Sequence, residues 1–159
     1  MQRVVVLGPG GAGKSTVARS LAQAIQVPLV ALDAEFWNER LEPMPREEWR
    51  AHQARLAAEP AWVMDGDLGP YDDLEPRLRQ ADTVVVLDLA RWLCAWRALR
   101  RGRERRDFWR WTLHWRRDSR GQILSAVAAF APGAQLLVLH RRREVREWLD
   151  AVRGSVDEL

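Results

Sequence analysis

The sequence predicts a three-layer α/β domain in which a five-stranded parallel sheet is covered by helices on both faces. Three observations predict it. Five short runs rich in Val and Leu each stop at a glycine or a polar residue, segments with helical apolar spacing alternate with them, and a glycine-rich stretch joins the first run to the first helix.

Taken in order, Val4 to Leu7 is the first strand, apolar on both faces as a buried parallel strand requires. Lys14 to Ile25 follows with helical spacing, and Leu29 to Leu32 is the second strand, ending at Asp33. Arg46 to Ala58 reads as a helix, Trp62 to Met64 as the third strand before Asp65, and Leu74 to Gln80 as a short helix. The fourth strand, Thr83 to Leu87, ends at Asp88. Two helices are expected next, Arg91 to Arg106 and Asp107 to Phe130, the latter with a break near Gly121. Gln135 to Leu139 is the last strand and Arg143 to Val152 the last helix. No repeat or low-complexity linker interrupts this order, so one domain over residues 1–159 is expected.

Composition narrows the class. With 47% apolar and 30% charged residues in 159, the chain has the material for a core and is not a disordered polymer. No stretch approaches the roughly 20 apolar residues of a membrane span. A run of only four apolar residues, Val4 to Leu7, precedes Gly8, too short for the core of a secretory signal, so a cytoplasmic location is expected. Cys94 is the only cysteine, which excludes an intramolecular disulfide, and His52, His114 and His140 have no zinc-ligand spacing.

Gly8-Pro9-Gly10-Gly11-Ala12-Gly13-Lys14-Ser15 fits the spacing G-x-x-x-x-G-K-[ST], placed between a strand and a helix as that motif requires. Gly8, Gly10, Gly11, Ala12 and Gly13 would turn backbone N–H groups inward around phosphates, and the helix start adds partial positive charge. Lys14 is expected to reach the β and γ phosphates, Ser15 to hold Mg²⁺, and Thr16 to support the loop or touch the α phosphate. Lys14 is also the only lysine among 25 basic residues, the other 24 being arginine. A compact ammonium suits a position between phosphate oxygens better than a planar guanidinium does. The same scarcity removes the guanine-reading N-K-x-D element, and with it a GTPase-type switch.

Phosphoryl transfer also calls for acids. Asp33, Asp65 and Asp88 each stand at the carboxyl end of an expected strand, where a side chain faces the ligand crevice of a parallel sheet. Each is equally a residue type that caps a helix or starts a turn.

These residues resemble the adenylate-kinase-related P-loop kinases, and in particular the bacterial DNA topology modulation (FlaR-like) group. The resemblance spans nearly the whole chain. It rests on Gly8 to Thr16, Leu32-Asp33-Ala34-Glu35-Phe36-Trp37, Glu48-Trp49, Trp62 to Gly66, the block from Ala81 to Cys94 and Arg97, and Arg142 to Val145. It implies a P-loop NTPase fold with sheet order 2-3-1-4-5, an acceptor-binding segment at about 33–60 and a short Arg-rich helical lid at about 101–120. It also implies that Asp65 with Ser15 organises Mg²⁺, and that Arg97 and Arg101 meet the nucleotide or the transferred phosphate. Two departures stand out: Asp67-Leu68 replaces the Asn-Tyr common in the group, and the segment from Arg101 to Trp115 is short.

Between Arg91 and Arg120 the chain carries 11 arginines and three acids, a charge of +8, while the remainder carries −5. A polyanion is expected there. Arg97 and Arg101 are the first candidates for neutralising phosphate charge, with Arg116, Arg117 and Arg120 next. Trp92, Trp96, Trp109, Trp111 and Trp115 interleave with them. Arg with Trp suits single-stranded nucleic acid, yet the i, i+4 pairs Trp92/Trp96 and Trp111/Trp115 equally suit helices packed on a sheet.

The expected function is ATP- and Mg²⁺-dependent phosphoryl transfer to a small acceptor: a nucleoside, a nucleotide or another hydroxyl compound. In it Lys14, Asp33, Arg97 and Arg101 act on the reacting groups, with Asp33 as base. Asp33, Glu35, Phe36, Trp37 and Arg40 line the acceptor. The two acids disfavour an acceptor phosphate, whereas Arg40 and Arg46 admit one. The alternative is an ATP-binding regulatory protein that contacts nucleic acid or a protein partner through its Arg/Trp helices.

Overall fold

The structure, a computed structural model, describes residues 1–37, 42–69, 72–90, 94 and 114–157. Five parallel strands, β1 (Arg3–Leu7), β2 (Leu29–Ala31), β3 (Trp62–Asp65), β4 (Thr83–Leu87) and β5 (Gln135–Leu139), form one sheet in the order β2-β3-β1-β4-β5. The expected fold class and strand order are both observed. Val5 is aligned with Met64 on one side and Val84 on the other, which brings the carboxyl ends of β1, β3 and β4 to one edge.

The described helices are α1 (Lys14–Ala24), α2 (Leu32–Phe36), α3 (Arg46–Ala57), α4 (Glu75–Leu78), α5 (Arg120–Phe130) and α6 (Arg142–Asp157). Alternate residues of the central strands divide the core. Val4, Val6, Val63 and Val85 pack with Val17, Leu21, Val145 and Leu149 of α1 and α6. Val5, Leu7, Met64 and Val86 pack on the other face with Trp49, Leu78, Ile123 and Val127 of α3, α4 and α5.

Several boundaries differ from expectation for identifiable reasons. Only β1, β3 and β4 are buried along nearly their whole length; β2 and β5 are edge strands, and Leu29 and Leu136 are exposed. The second strand ends at Ala31 because Leu32 already starts α2, a helical turn that the short apolar run concealed. The third strand extends one residue further and carries Asp65 as its last member. The expected break at Gly121 falls earlier: residues 114–118 are helical, Ser119 is a turn, and α5 runs through Gly121. The expected helix from Arg91 to Arg106 lies outside the described residues, Cys94 apart.

Candidate functional site

The glycine-rich loop leaves β1 and enters α1 at Gly13, whose φ of 92° places it in the left-handed region as the residue before Lys14. Gly11 shows why the loop needs glycine. Its φ is 75°, and a Cβ there would collide with the Cys94 carbonyl oxygen, so the segment after β4 presses directly on the loop. Ala12 N–H donates to the Pro9 carbonyl at 3.2 Å, and Thr16 and Val17 N–H both donate to Gly13 at 3.1 Å. Gly8, Gly10, Gly11 and Ala12 are buried, Gly13 and Lys14 half-buried, and Ser15 and Thr16 exposed on the first turn of α1. Lys14 Nζ donates to the carbonyls of Gly8 at 2.8 Å and Pro9 at 3.1 Å, which holds the ammonium over the loop.

Acids gather beside that ammonium. Asp33 lies in the first turn of α2, accessible to solvent yet enclosed by protein on several sides. This enclosure raises its pKa, the Asp65, Asp72 and Asp67 carboxylates raise it further, and Lys14 opposes them. Asp65 is 7% exposed, and its Oδ1 has no hydrogen-bond partner among the described residues. A buried carboxylate oxygen left unpaired is costly in a protein interior, and a cation would satisfy it. With the Ser15 hydroxyl exposed at the start of α1, the donors are hard oxygens of the kind Mg²⁺ takes alongside water and phosphate. Among the described residues no group of three or more His, Cys, Asp or Glu forms an all-protein metal cage.

Gly66 links this acid to the next. At φ 152°, its Cβ would lie 2.9 Å from Leu32 Cβ, so α2 and the end of β3 approach too closely for a side chain. Asp67 follows. Its Oδ1 accepts Gly69 N–H at 3.0 Å and its Oδ2 accepts Trp115 Nε1–H at 3.0 Å. Burial raises the Asp67 pKa, with Lys14 and the Trp115 bond acting against it and Asp72 with it.

Beneath the turn lies Arg77, fully buried. It donates to Asp72 Oδ1 at 2.8 Å and Oδ2 at 2.6 Å, to the Gly66 carbonyl at 3.3 Å, and to Gln53 Oε1. A paired interior guanidinium thus fixes the backbone between Asp65 and Asp67.

The other expected site residues are placed as follows. Glu35 Oε2 lies 2.8 Å from His52 Nε2 of α3. Phe36 is 3% exposed and meets Trp37 and Trp49 edge to face, at ring separations of 4.8 and 5.1 Å, so it sits in the core. Trp37, half-buried, bridges to Pro43. Arg40, Arg97 and Arg101 lie outside the described residues, as do Trp92, Trp96, Trp109 and Trp111. Trp115 is buried and faces Asp67. Arg116 Nε and Arg120 Nε donate to Asp88 at 2.6 and 2.9 Å, with His140 Nδ1 3.3 Å away, while Arg117 pairs with Asp118 on the surface. Asp88 is therefore the hub of a charged cluster at the end of β4. Asp72 and Arg77 were not anticipated from the sequence, in which Asp67 figured only as a departure from the group's pattern. A weak signal existed in Arg77, a charge between Leu74 and Leu78 with acids five and four residues before it.

A cleft of about 650 Å³ opens from Asp67 between α3, the 67–75 segment and α5. Its apolar wall includes Leu74, Ile123, Ala126 and Phe130. No helix among the described residues is long and apolar enough to cross a membrane.

No protein-family model matches the chain. A curated shikimate kinase from Rhodococcus erythropolis is 58% identical over 100 residues, which cover 55% of this chain and 59% of that one. The match thus spans about three fifths of the relative's length. Among solved structures, a gluconokinase from Sinorhizobium meliloti 1021 superposes with a TM-score of 0.61 at 22% identity, over 99% of this chain and 92% of that one. A shikimate kinase from Acinetobacter baumannii in complex with shikimate gives 0.60 at 18% identity, over 99% and 94%. The chain has the P-loop kinase fold.

Proposed function

We propose that the protein is a small-molecule kinase that transfers the γ-phosphoryl group of ATP to a hydroxyl of a small acceptor. The observation that carries this reading is the convergence of Lys14 and Asp33 at one edge of the sheet, each within the other's field, on a loop of phosphate-binding geometry. The likeness to curated and solved kinases supports it.

In this reading the loop N–H groups and Lys14 hold the phosphates, and Asp65 with Ser15 holds Mg²⁺, which supplies charge neutralisation between them. Asp33 accepts the proton of the acceptor hydroxyl. The acceptor oxygen forms its bond to the γ phosphorus as the bridge to the leaving ADP breaks, and ADP keeps that electron pair. The raised pKa of Asp33 suits a base that holds a proton more readily than an ordinary carboxylate. Arg97 and Arg101 are assigned to charge stabilisation on the resemblance described above, and a cytoplasmic location goes with it. The finer resemblance to the DNA topology modulation group rests on the block from Ala81 to Arg97. A gel shift with DNA at physiological salt, dependent on ATP, would favour the regulatory alternative.

ADP release from Mg-ATP, measured across nucleosides, nucleotides and polyols with Lys14→Ala as blank, tests the reading. Stimulation by one acceptor far above the blank supports it. Tight ATP binding with no stimulated turnover by any acceptor refutes it.

A further inference from the structure

Charges in the cleft beside Asp67 are almost wholly matched by protein partners, and the two exceptions describe what the cleft can hold. Arg50, a cation at its wall, is taken by Asp73 at 2.6 Å and Glu75 at 2.7 Å. Asp72 is taken by buried Arg77, and Asp118 pairs with Arg117. Among the described lining residues, Asp67 and Arg46 have no oppositely charged group within salt-bridge distance. Arg46 is exposed and lies on the first turn of α3. Asp67 is half-buried, and among the described residues it receives only neutral donors, Gly69 N–H and Trp115 Nε1–H.

The end of the cleft nearest Lys14 therefore offers hydrogen-bond acceptors and negative charge, with a wall of Leu74, Ile123, Ala126 and Phe130 beside it. Among the described residues at that end, an acceptor carboxylate or phosphate would be desolvated against Asp67 while Arg50 is already engaged, Lys14 is assigned to the phosphates of ATP and Arg46 stands out at the exposed start of α3. A hydroxyl would instead donate to the second lone pair of an Asp67 oxygen.

We infer that the cleft takes an uncharged, polyhydroxylated acceptor with one apolar face, such as a nucleoside or a cyclic polyol, and that Asp67 determines this specificity by accepting a hydrogen bond from a second hydroxyl. The inference rests on the kinase reading and adds the substrate class to it. It also predicts a preference different from that of a kinase acting on a carboxylated sugar or ring, since a shared fold does not set the acceptor.

The test compares kcat/KM of the full chain for neutral acceptors (nucleosides, inositol), carboxylated ones (shikimate, gluconate) and nucleoside monophosphates. A neutral acceptor is expected to lead by about tenfold or more, and Asp67→Asn to raise its KM by about tenfold while the KM for ATP stays within about twofold. Asp67→Ser, which keeps an oxygen for Gly69 N–H, serves as a second variant whose fold is checked by circular dichroism. It is expected to show the same split between acceptor and ATP. The inference is overturned if a carboxylated or phosphorylated acceptor leads and Arg46→Ala selectively raises its KM; the kinase reading then stands. It is overturned too if both Asp67 variants leave the neutral acceptor's KM unmoved. Failure of every acceptor class to turn over removes the kinase reading itself, and this inference with it.

Discussion

In the proposed site, the end assigned to phosphate is made of backbone, a continuous loop from Gly8 to Lys14 with glycines at positive φ, whereas the end assigned to the acceptor is made of side chains carried by separate elements. Asp33 comes from α2, Asp67 from the turn after β3, Arg46 and Arg50 from α3, and Ile123 and Phe130 from α5. A backbone site is fixed by local spacing and tolerates few changes of residue. A side-chain site can be recharged one residue at a time while the fold persists, and so specificity can change where the phosphate chemistry does not.

The comparison is broken most severely from below. Arg77→Met leaves Asp72 buried without its cation and releases the Gly66 carbonyl, an expected loss of about 3–5 kcal/mol in stability by denaturant unfolding. Lys14→Ala should cut turnover by about 10²–10³-fold, with the same unfolding midpoint to within the loss of two loop hydrogen bonds. Gly11→Ala forces a side chain into the Cys94 carbonyl at positive φ and should cost about 1–3 kcal/mol, with weakened nucleotide binding in titration calorimetry.

Smaller effects sharpen the contrast. A carboxyl with a raised pKa binds its proton better folded than unfolded. As pH rises past the ordinary 3.8 the unfolded chain releases that proton first, and stability is lost. Asp33→Asn should therefore raise Tm slightly at neutral pH, with the gain vanishing as pH falls toward 3.8, while it abolishes the acidic limb of the kcat/KM profile. That limb in the parent protein is expected above the ordinary carboxylate range. Least of all, Arg117→Ala, on an exposed pair with Asp118, should leave Tm unchanged within error.

What could be read from the sequence follows the same division. The glycine-rich loop, the five strands and their alternation with helices are local patterns, and they could be placed to within a residue or two. Asp33 and Asp65 could be proposed because strand ends face the crevice. Asp67 could not, since nothing local says that Trp115, 48 positions later, donates to it. Phe36 reads beside Trp37 as an acceptor-lining residue, and only the tertiary position of Trp49 shows it to be core. Arg116 and Arg120 read as cations for phosphate, while their pairing with Asp88 depends on how α5 returns to the sheet. Asp72 and Arg77 form a buried charge pair that hydropathy alone assigns to the surface.

The strand order also carries a consequence for biosynthesis. β1 is the centre of the sheet, yet its two neighbours are β3 and β4, so Val4 to Leu7 emerges long before Trp62 or Thr83 exists. At the usual 5–20 residues per second the nascent chain waits roughly three to eleven seconds for β3, and longer for β4. During that interval the central strand, with its apolar run Val4 to Leu7, has no partner, and β2, which pairs only with β3, cannot help. The assembly of this sheet is therefore a late, collective event on the ribosome, and the early strand is the stretch that a chaperone would meet first.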